Sequence, residues 1–342
     1  MSTFLQPLRL FSFSLLVLLG LAGSAVADEG AFEIKFGTLA PDNTPWSDVL
    51  YEFKRNIEKD SQGRIKVKVY LNGKLGDEKA MLQKMRYGQL NGGGFSTGGI
   101  SSVVPELQIL ELPFLFRNHA EADYVMDEVL HEELSSALEK KGFQLWIWAE
   151  NGWLDFAGKR PIRSPGDLKA GKLVMQESDV QLAMYEAFGV KATPLPVPEI
   201  LGALQTGMID TYSGSPVFST AAQWFAYTDH WVDSDHIYQP AAVIFSKKLW
   251  DELPADLQEL INSYRPKVTA EARQAVRDID ADLFEGFREN GITIHNWAPK
   301  QREVFREAAW PSHKAMVERG AFSNEMLQKT YKALEAYRAR QK

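Results

Sequence analysis

The residue types that most often carry chemistry are arranged here in ways that mostly exclude it. The six histidines are His119, His131, His230, His236, His295 and His313, and no two are four residues apart. Without a His-Glu-x-x-His run, no pair of imidazoles is set on one helix face toward a zinc ion, so no metal site is expected. His131-Glu132-Glu133 lies in a charged helical stretch and reads as a solvated face. Gly92-Gly-Gly94 with Gly98-Gly99 lacks the spacing and the Lys-Ser/Thr ending of a phosphate loop. It is expected to be a strand-to-loop turn whose glycines admit a ligand or an opposing lobe. The absence of cysteine excludes disulfides, thiolate metal sites and cysteine nucleophiles. The chain is therefore expected to be a non-enzyme without cofactor or metal.

The aromatic residues say more. Nine Trp, eleven Tyr and nineteen Phe are present, and several fall at the predicted ends of strands, where open α/β sheets place ligands. Trp46, Phe95, Trp153, Tyr212, Phe218 and Trp224 are candidates for an aromatic-walled cleft. Ser96, Ser213, Ser215 and Gln176 would add polar groups, and Leu154 and Val174 apolar wall.

These residues must be positioned by a chain of 342 residues with 45% hydrophobic and 24% charged side chains, enough for about two packed domains. A formal net charge of −7 without a long basic run argues against nucleic acid as a partner. Met1 to Ala27 combines Arg9, an apolar run to Ala22 and an Ala-Val-Ala ending, the pattern of a cleavable secretory leader. The run is too short to span a bilayer. The mature chain is expected in a bacterial periplasm.

Two halves of the chain share an order of elements. Glu33–Phe36 and Ile65–Tyr70 alternate as strands, with a helix between them capped by Thr44-Pro45 and carrying Trp46, Val49, Leu50, Phe53 and Ile57 at helical spacing. A second helix, about Glu78 to Tyr87, stops at Gly88. After residue 160 the sequence predicts a short helix at Ser164, a strand at Lys172–Gln176, a helix at Asp179–Phe188, a strand at Lys191–Leu195 and a helix from Pro198 to Gly207. A shift of 119 residues matches Leu82, Met85, Gly88, Leu90 and Asn91 with Leu201, Leu204, Gly207, Ile209 and Asp210. Two related α/β lobes follow, with a long helix from Pro254 to about Asn290, bent near Pro266, crossing both.

The runs Phe36-Gly-Thr-Leu-Ala-Pro41, Gly73-Lys-Leu-Gly76, Leu110-Glu-Leu-Pro-Phe-Leu-Phe116, Glu150-Asn-Gly-Trp153, Arg160-Pro-Ile-Arg-Ser-Pro-Gly-Asp-Leu-Lys169 and Leu204-Gln-Thr-Gly-Met-Ile-Asp210 occur in order along the chain. Together they resemble the solute-binding proteins of tripartite ATP-independent periplasmic (TRAP) transporters. The resemblance implies a two-lobed α/β periplasmic fold with a central cleft and a helix spanning both lobes. The lobes would be 28–151 plus 240–279, and 152–239 plus 280–342. It also implies solute capture by hinge closure and delivery to membrane permease subunits, without catalysis.

Acid-binding members of that family typically carry an arginine where this chain has Val174, and often a second where it has Leu154. Losing both disfavours a simple carboxylate, because a buried anion without a charged partner is costly. Arg117 or a backbone nest could substitute. Asp210-Thr-Tyr-Ser-Gly-Ser-Pro216 followed by Gln223-Trp-Phe225 resembles a branch with a hydroxyl-rich site loop. A neutral or amphiphilic solute is the leading expectation. An acid held differently, or a cation served by Glu150 and Glu177, are the alternatives. A periplasmic sensor is the alternative function.

Overall fold

The computed structural model describes residues 31–176 and 178–341. The predicted leader and Glu177 lie outside them. The strands are β1 (Phe32–Thr38), β2 (Ile65–Tyr70), β3 (Gly92–Ser96), β4 (Phe143–Gly158), β5 (Val174–Met175), β6 (Thr193–Pro194), β7 (Thr211–Gly214), β8 (His230–Ser246) and β9 (Thr293–Asn296). Seven form one sheet in the order β2-β1-β3-β8-β4-β7, with β9 on β8, while β5 and β6 pair separately.

Two long strands join two lobes. Toward Ser246, β8 runs antiparallel to β3, with Ala242 opposite Phe95, and β3 continues in parallel to β1 and β2. At the other end, β4 pairs with β7 through Asp155–Gly158, and β8 pairs with β9 through His230–Asp233. Between these ends the β4–β8 register shifts at Glu150/Gly152 and again at Leu154/Phe156. Gly152 has φ +90 there, a conformation that a side chain resists. The Gly92–Gly94 run is not a turn. It is the body of β3, and its absent side chains let the sheet close: a Cβ on Gly93 would meet the Phe95 ring and the Gly37 carbonyl.

The repeated pattern has a structural counterpart. Lys35 N–H donates to Asn91 Oδ1 at 3.0 Å and Asn91 N–H returns a bond to the Lys35 carbonyl at 2.9 Å. In the second lobe Lys172 N–H donates to Asp210 Oδ1 at 2.7 Å and Asp210 N–H to the Lys172 carbonyl at 3.0 Å. Gly88 and Gly207, which end the preceding helices, have φ +71 and +66.

The expected long helix is three in succession: Ala255–Ser263, Arg265–Arg277 and Asp280–Glu289. Pro266 opens the middle one, where its missing N–H costs least. Val268 and Ala272 pack in the first lobe, Phe284 and Phe287 in the second, so the succession still crosses both. In the Pro45–Asp60 helix Thr44 and Ser47 form a reciprocal capping box. Of its apolar positions, Phe53 and Ile57 are buried in the first-lobe core, whereas Trp46, Val49, Leu50 and Phe53 border a cavity. Among the described residues no helix is long and apolar enough to cross a membrane.

Candidate functional site

The cleft between the lobes holds two adjoining cavities that share Leu39, Glu78, Ser96, Gln176, Val197 and Gln239. These come from both lobes and from β8 where it crosses. One cavity is polar and carries Glu111, Ser101 and Ser178. The other, about 120 Å³, runs under the Pro45–Asp60 helix and is walled mainly by apolar side chains, with Thr38, Asn151 and Gln239 among its polar groups. Neither lining includes an arginine among the described residues.

Asp77, Glu78, Lys79, Glu111 and Asp179 line the polar cavity, and for Glu78 and Glu111 the chain itself satisfies much of the hydrogen bonding. Glu78 accepts from Ser96 N–H at 2.5 Å and Ser96 Oγ at 2.7 Å; Glu111 accepts from Thr97 Oγ1 and Gly98 N–H, each at 2.6 Å. Gly98 and Gly99 are small for that reason. A Cβ at 99 would strike the Glu78 carboxylate, and one at 98 would crowd Glu111. The glycines expected to admit a ligand thus admit the protein's own acids. Burial pushes both carboxyls up to about 7, partly offset by these hydrogen bonds, and the charge of Glu111 adds to the rise at Glu78.

Ser96 also lies in Gly94-Phe95-Ser96-Thr97-Gly98, which by its letters alone is a nucleophile elbow between strand and helix. Its environment is not that of a nucleophile. Its backbone is relaxed at φ −64, ψ 151, and its hydroxyl donates to Glu78 while accepting from Gly99 N–H. Its partners are thus Glu78 and Gly99, and no histidine is bonded to it among the described residues.

Where the lobes meet, a buried clamp ties three segments. Glu150 on β4 accepts from Tyr238 Oη on β8 at 2.5 Å and from Arg277 Nε and Nη2 at 2.9 and 2.6 Å. Arg277 also holds Asp123. Glu150 is fully buried and its charge is neutralised in this way, so it is not free to receive a cationic solute. His119 lies 3.6 Å from its other oxygen, and burial holds that imidazole below its ordinary value. The Trp46 indole donates to the Glu150 carbonyl at 3.0 Å, which fixes one wall of the cleft.

Five of the twelve candidates border the cavities: Trp46, Phe95, Ser96, Gln176 and Phe218. The other seven are placed elsewhere. Trp153 packs edge-on to His119 and Tyr238, and Leu154 is in the core. Val174, Tyr212 and Trp224 belong to the second-lobe core, where Tyr212 Oη meets Thr228 Oγ1 at 2.9 Å. Ser213 bonds His236 at 3.0 Å, and Ser215 caps the Pro216–Ala221 helix. Arg117 borders neither cavity. Glu78, Glu111, Asn151 and Gln239 were not candidates. Glu78 lies 18 residues from Ser96 and Glu111 13 from Gly98, separations that give no signal in sequence until the fold brings them together.

The fold and the sequence have known relatives. Residues 36–320 match the model of the bacterial extracellular solute-binding proteins, family 7. A "solute-binding protein" of Verminephrobacter eiseniae is 34% identical over 254 residues, 74% of this chain and 76% of that one. A sugar acid binding protein of Advenella mimigardefordensis, solved with galactonate, superposes with a TM-score of 0.85 at 26% identity, covering 90% of this chain and 98% of that one. A TRAP periplasmic solute-binding protein of a Polaromonas species, solved with D-erythronate, gives 0.82 at 26% identity, with 89% and 98% covered. The chain belongs to the family 7 extracellular solute-binding proteins, which serve TRAP transport. Its role is binding for transport, not catalysis.

Proposed function

We propose that the protein captures a neutral or amphiphilic solute in the periplasm by closing its lobes on it, and hands that solute to a TRAP permease. The observation that carries this reading is the lining of the cleft. Its polar groups are amides, hydroxyls and the carboxyls of Glu78 and Glu111, with Asp77, Lys79 and Asp179 at the rim of the polar cavity; the apolar cavity is walled mainly by apolar side chains, and arginine is missing from both linings among the described residues. A carboxylate entering here would lose its hydration and meet Glu78 and Glu111 instead of a guanidinium. A solute bearing hydroxyls or amides would exchange hydrogen bonds with Gln176, Ser96 and Gln239.

Closure follows from contacts made by both lobes at once. The lobes are 28–151 with 240–279, and 152–239 with 280–342, and Met1 to Ala27 is the exported chain's leader. Gln176 and Val197 approach from the second lobe, Ser96 and Glu78 from the first, so a solute touching all four favours the closed state by its differential affinity.

The test is identification of what co-purifies under non-denaturing conditions, followed by thermal shift against neutral polyols and amides on one side and galactonate and erythronate on the other. The neutral series should raise Tm in proportion to the logarithm of its concentration over Kd. Selective stabilisation by the sugar acids would overturn the neutral reading while leaving solute capture intact. Permease genes beside this one support delivery; a receptor kinase gene there would favour sensing.

A further inference from the structure

The apolar cavity is larger than the polar groups at its mouth require. It continues from the cleft past Phe95 and Gly94 to Trp146, Val268 and Ala272, between the sheet and the Pro45–Asp60 and Arg265–Arg277 helices. A core at this level would ordinarily be filled. Here Ala149 on β4, Ala241 on β8 and Ala272 face a space of about 120 Å³. Dry apolar cavities of ~150 Å³ accept benzene. Imperfect packing is visible at the far wall too, where Trp146 is 2% exposed and its indole N–H is buried without a partner.

We infer that the solute carries an apolar arm, aryl or branched alkyl, which enters this first-lobe chamber while its polar end stays with Ser96, Gln176 and Gln239. The inference rests on the solute-capture reading above and adds a shape to it. The continuity of the chamber with the cleft means that one molecule can occupy both. The apolar walls reward the arm by about fourfold in affinity for each methylene removed from water. A compact polyol or sugar acid would leave the chamber empty and forgo that gain. Ala149, Ala241 and Ala272 are then specificity residues, because any larger side chain shortens the arm that fits.

The experiment compares propane-1,2-diol with 1-phenylethane-1,2-diol, probes that share a polar end and differ in the arm, on the mature protein with galactonate as a third ligand. Binding is read by calorimetry and by the indole N–H resonances, with Trp146→Phe used to assign its signal. The phenyl diol should bind at least tenfold more tightly than the propane diol and move the Trp146 resonance. Ala272→Leu should erase the preference. Should that variant fold poorly, the wild-type comparison and the Trp146 signal still decide. Equal binding of the two diols with a motionless Trp146 resonance overturns the chamber and leaves solute capture standing. Binding of galactonate alone overturns the neutral reading and the arm together, and binding of none of the three counts against both.

Discussion

The two lobes treat the same kind of residue in opposite ways. In the second, large aromatics pack on one another: Trp224 meets Tyr212 at 5.4 Å and Trp231 meets Phe287 at 4.7 Å in one core, while Phe218, 5.3 Å from Trp224, reaches the cavity. In the first, Phe53 and Trp146 pack at 4.7 Å but stand beside alanines that leave room. The second lobe spends its rings on stability, and the first spends small residues on space. A cavity wall is thus marked less by where aromatics occur than by where their neighbours are too small to fill the gap.

That contrast is easiest to break with Trp224→Ala. Truncating a buried ring in a closed core should destabilise the protein by about 3–5 kcal/mol, measured by denaturant melts, with solute preference unchanged in the folded protein. Ala149→Leu is the mirror test. Leucine there enters open space, so stability should change by no more than ~1–2 kcal/mol in either direction, yet solute-induced stabilisation should be abolished. If Trp224→Ala changed solute preference and Ala149→Leu did not, the roles of the lobes would have to be exchanged.

A loss comparable to that of Trp224→Ala is expected at the junction. Arg277→Met would leave the fully buried Glu150 with Tyr238 but without its cation, and removing one partner of such a pair costs about 3–5 kcal/mol. Because Arg277 joins the helix succession to β4 and to Asp123, the same variant should also change the lobe opening seen by small-angle scattering without solute. A double variant, Arg277→Met with Glu150→Gln, should recover part of the loss.

The framework was largely legible in the sequence, because strands and helix caps are local. Thr44-Pro45, Ser164-Pro165 and Gly88 sit where their backbone preferences demand. Val174 and Trp224 show why the site was less so. Their types suit a cleft wall, but β5 is only two residues long and sets Val174 beside Ala157 and Tyr212 in the core. Burial is decided by which elements cover a strand, and strand order is not written at any one position. Gln239 and Glu111 were missed for the same reason: one lies 88 residues from its Asn151 contact and the other 14 from Thr97.

Glu111, which borders the polar cavity and not the apolar one, gives a pH signature of its own. With the folded carboxyl of Glu111 raised from 4.5 to about 7, the folded state binds more protons across that window. This contribution to stability is therefore fully present below pH 4.5, is lost as pH rises toward 7, and is flat above it. Glu111→Gln should remove up to about 3 kcal/mol of this pH dependence. The difference between variant and wild type is the quantity to follow, since buried His236 and His313, both held low by burial, oppose it below neutrality. A variant with the wild-type slope would mean that Glu111 titrates normally.

The smallest effects test whether the lobes are copies at all. Asn91 and Asp210 each close a two-bond ring on a lysine backbone, one with an amide and one with a carboxylate. If the rings are equivalent parts of a repeated unit, Asn91→Ala and Asp210→Ala should each cost on the order of 1 kcal/mol, and Asp210→Asn should cost less because an amide oxygen accepts the same bond. Asp210 also pairs with Arg160 at 3.2 Å, but that side chain is 55% exposed, so the ion pair adds little. An Asp210→Asn loss as large as Asp210→Ala would show that the second lobe relies on charge at this turn, and that the halves have diverged in mechanism while keeping their shape.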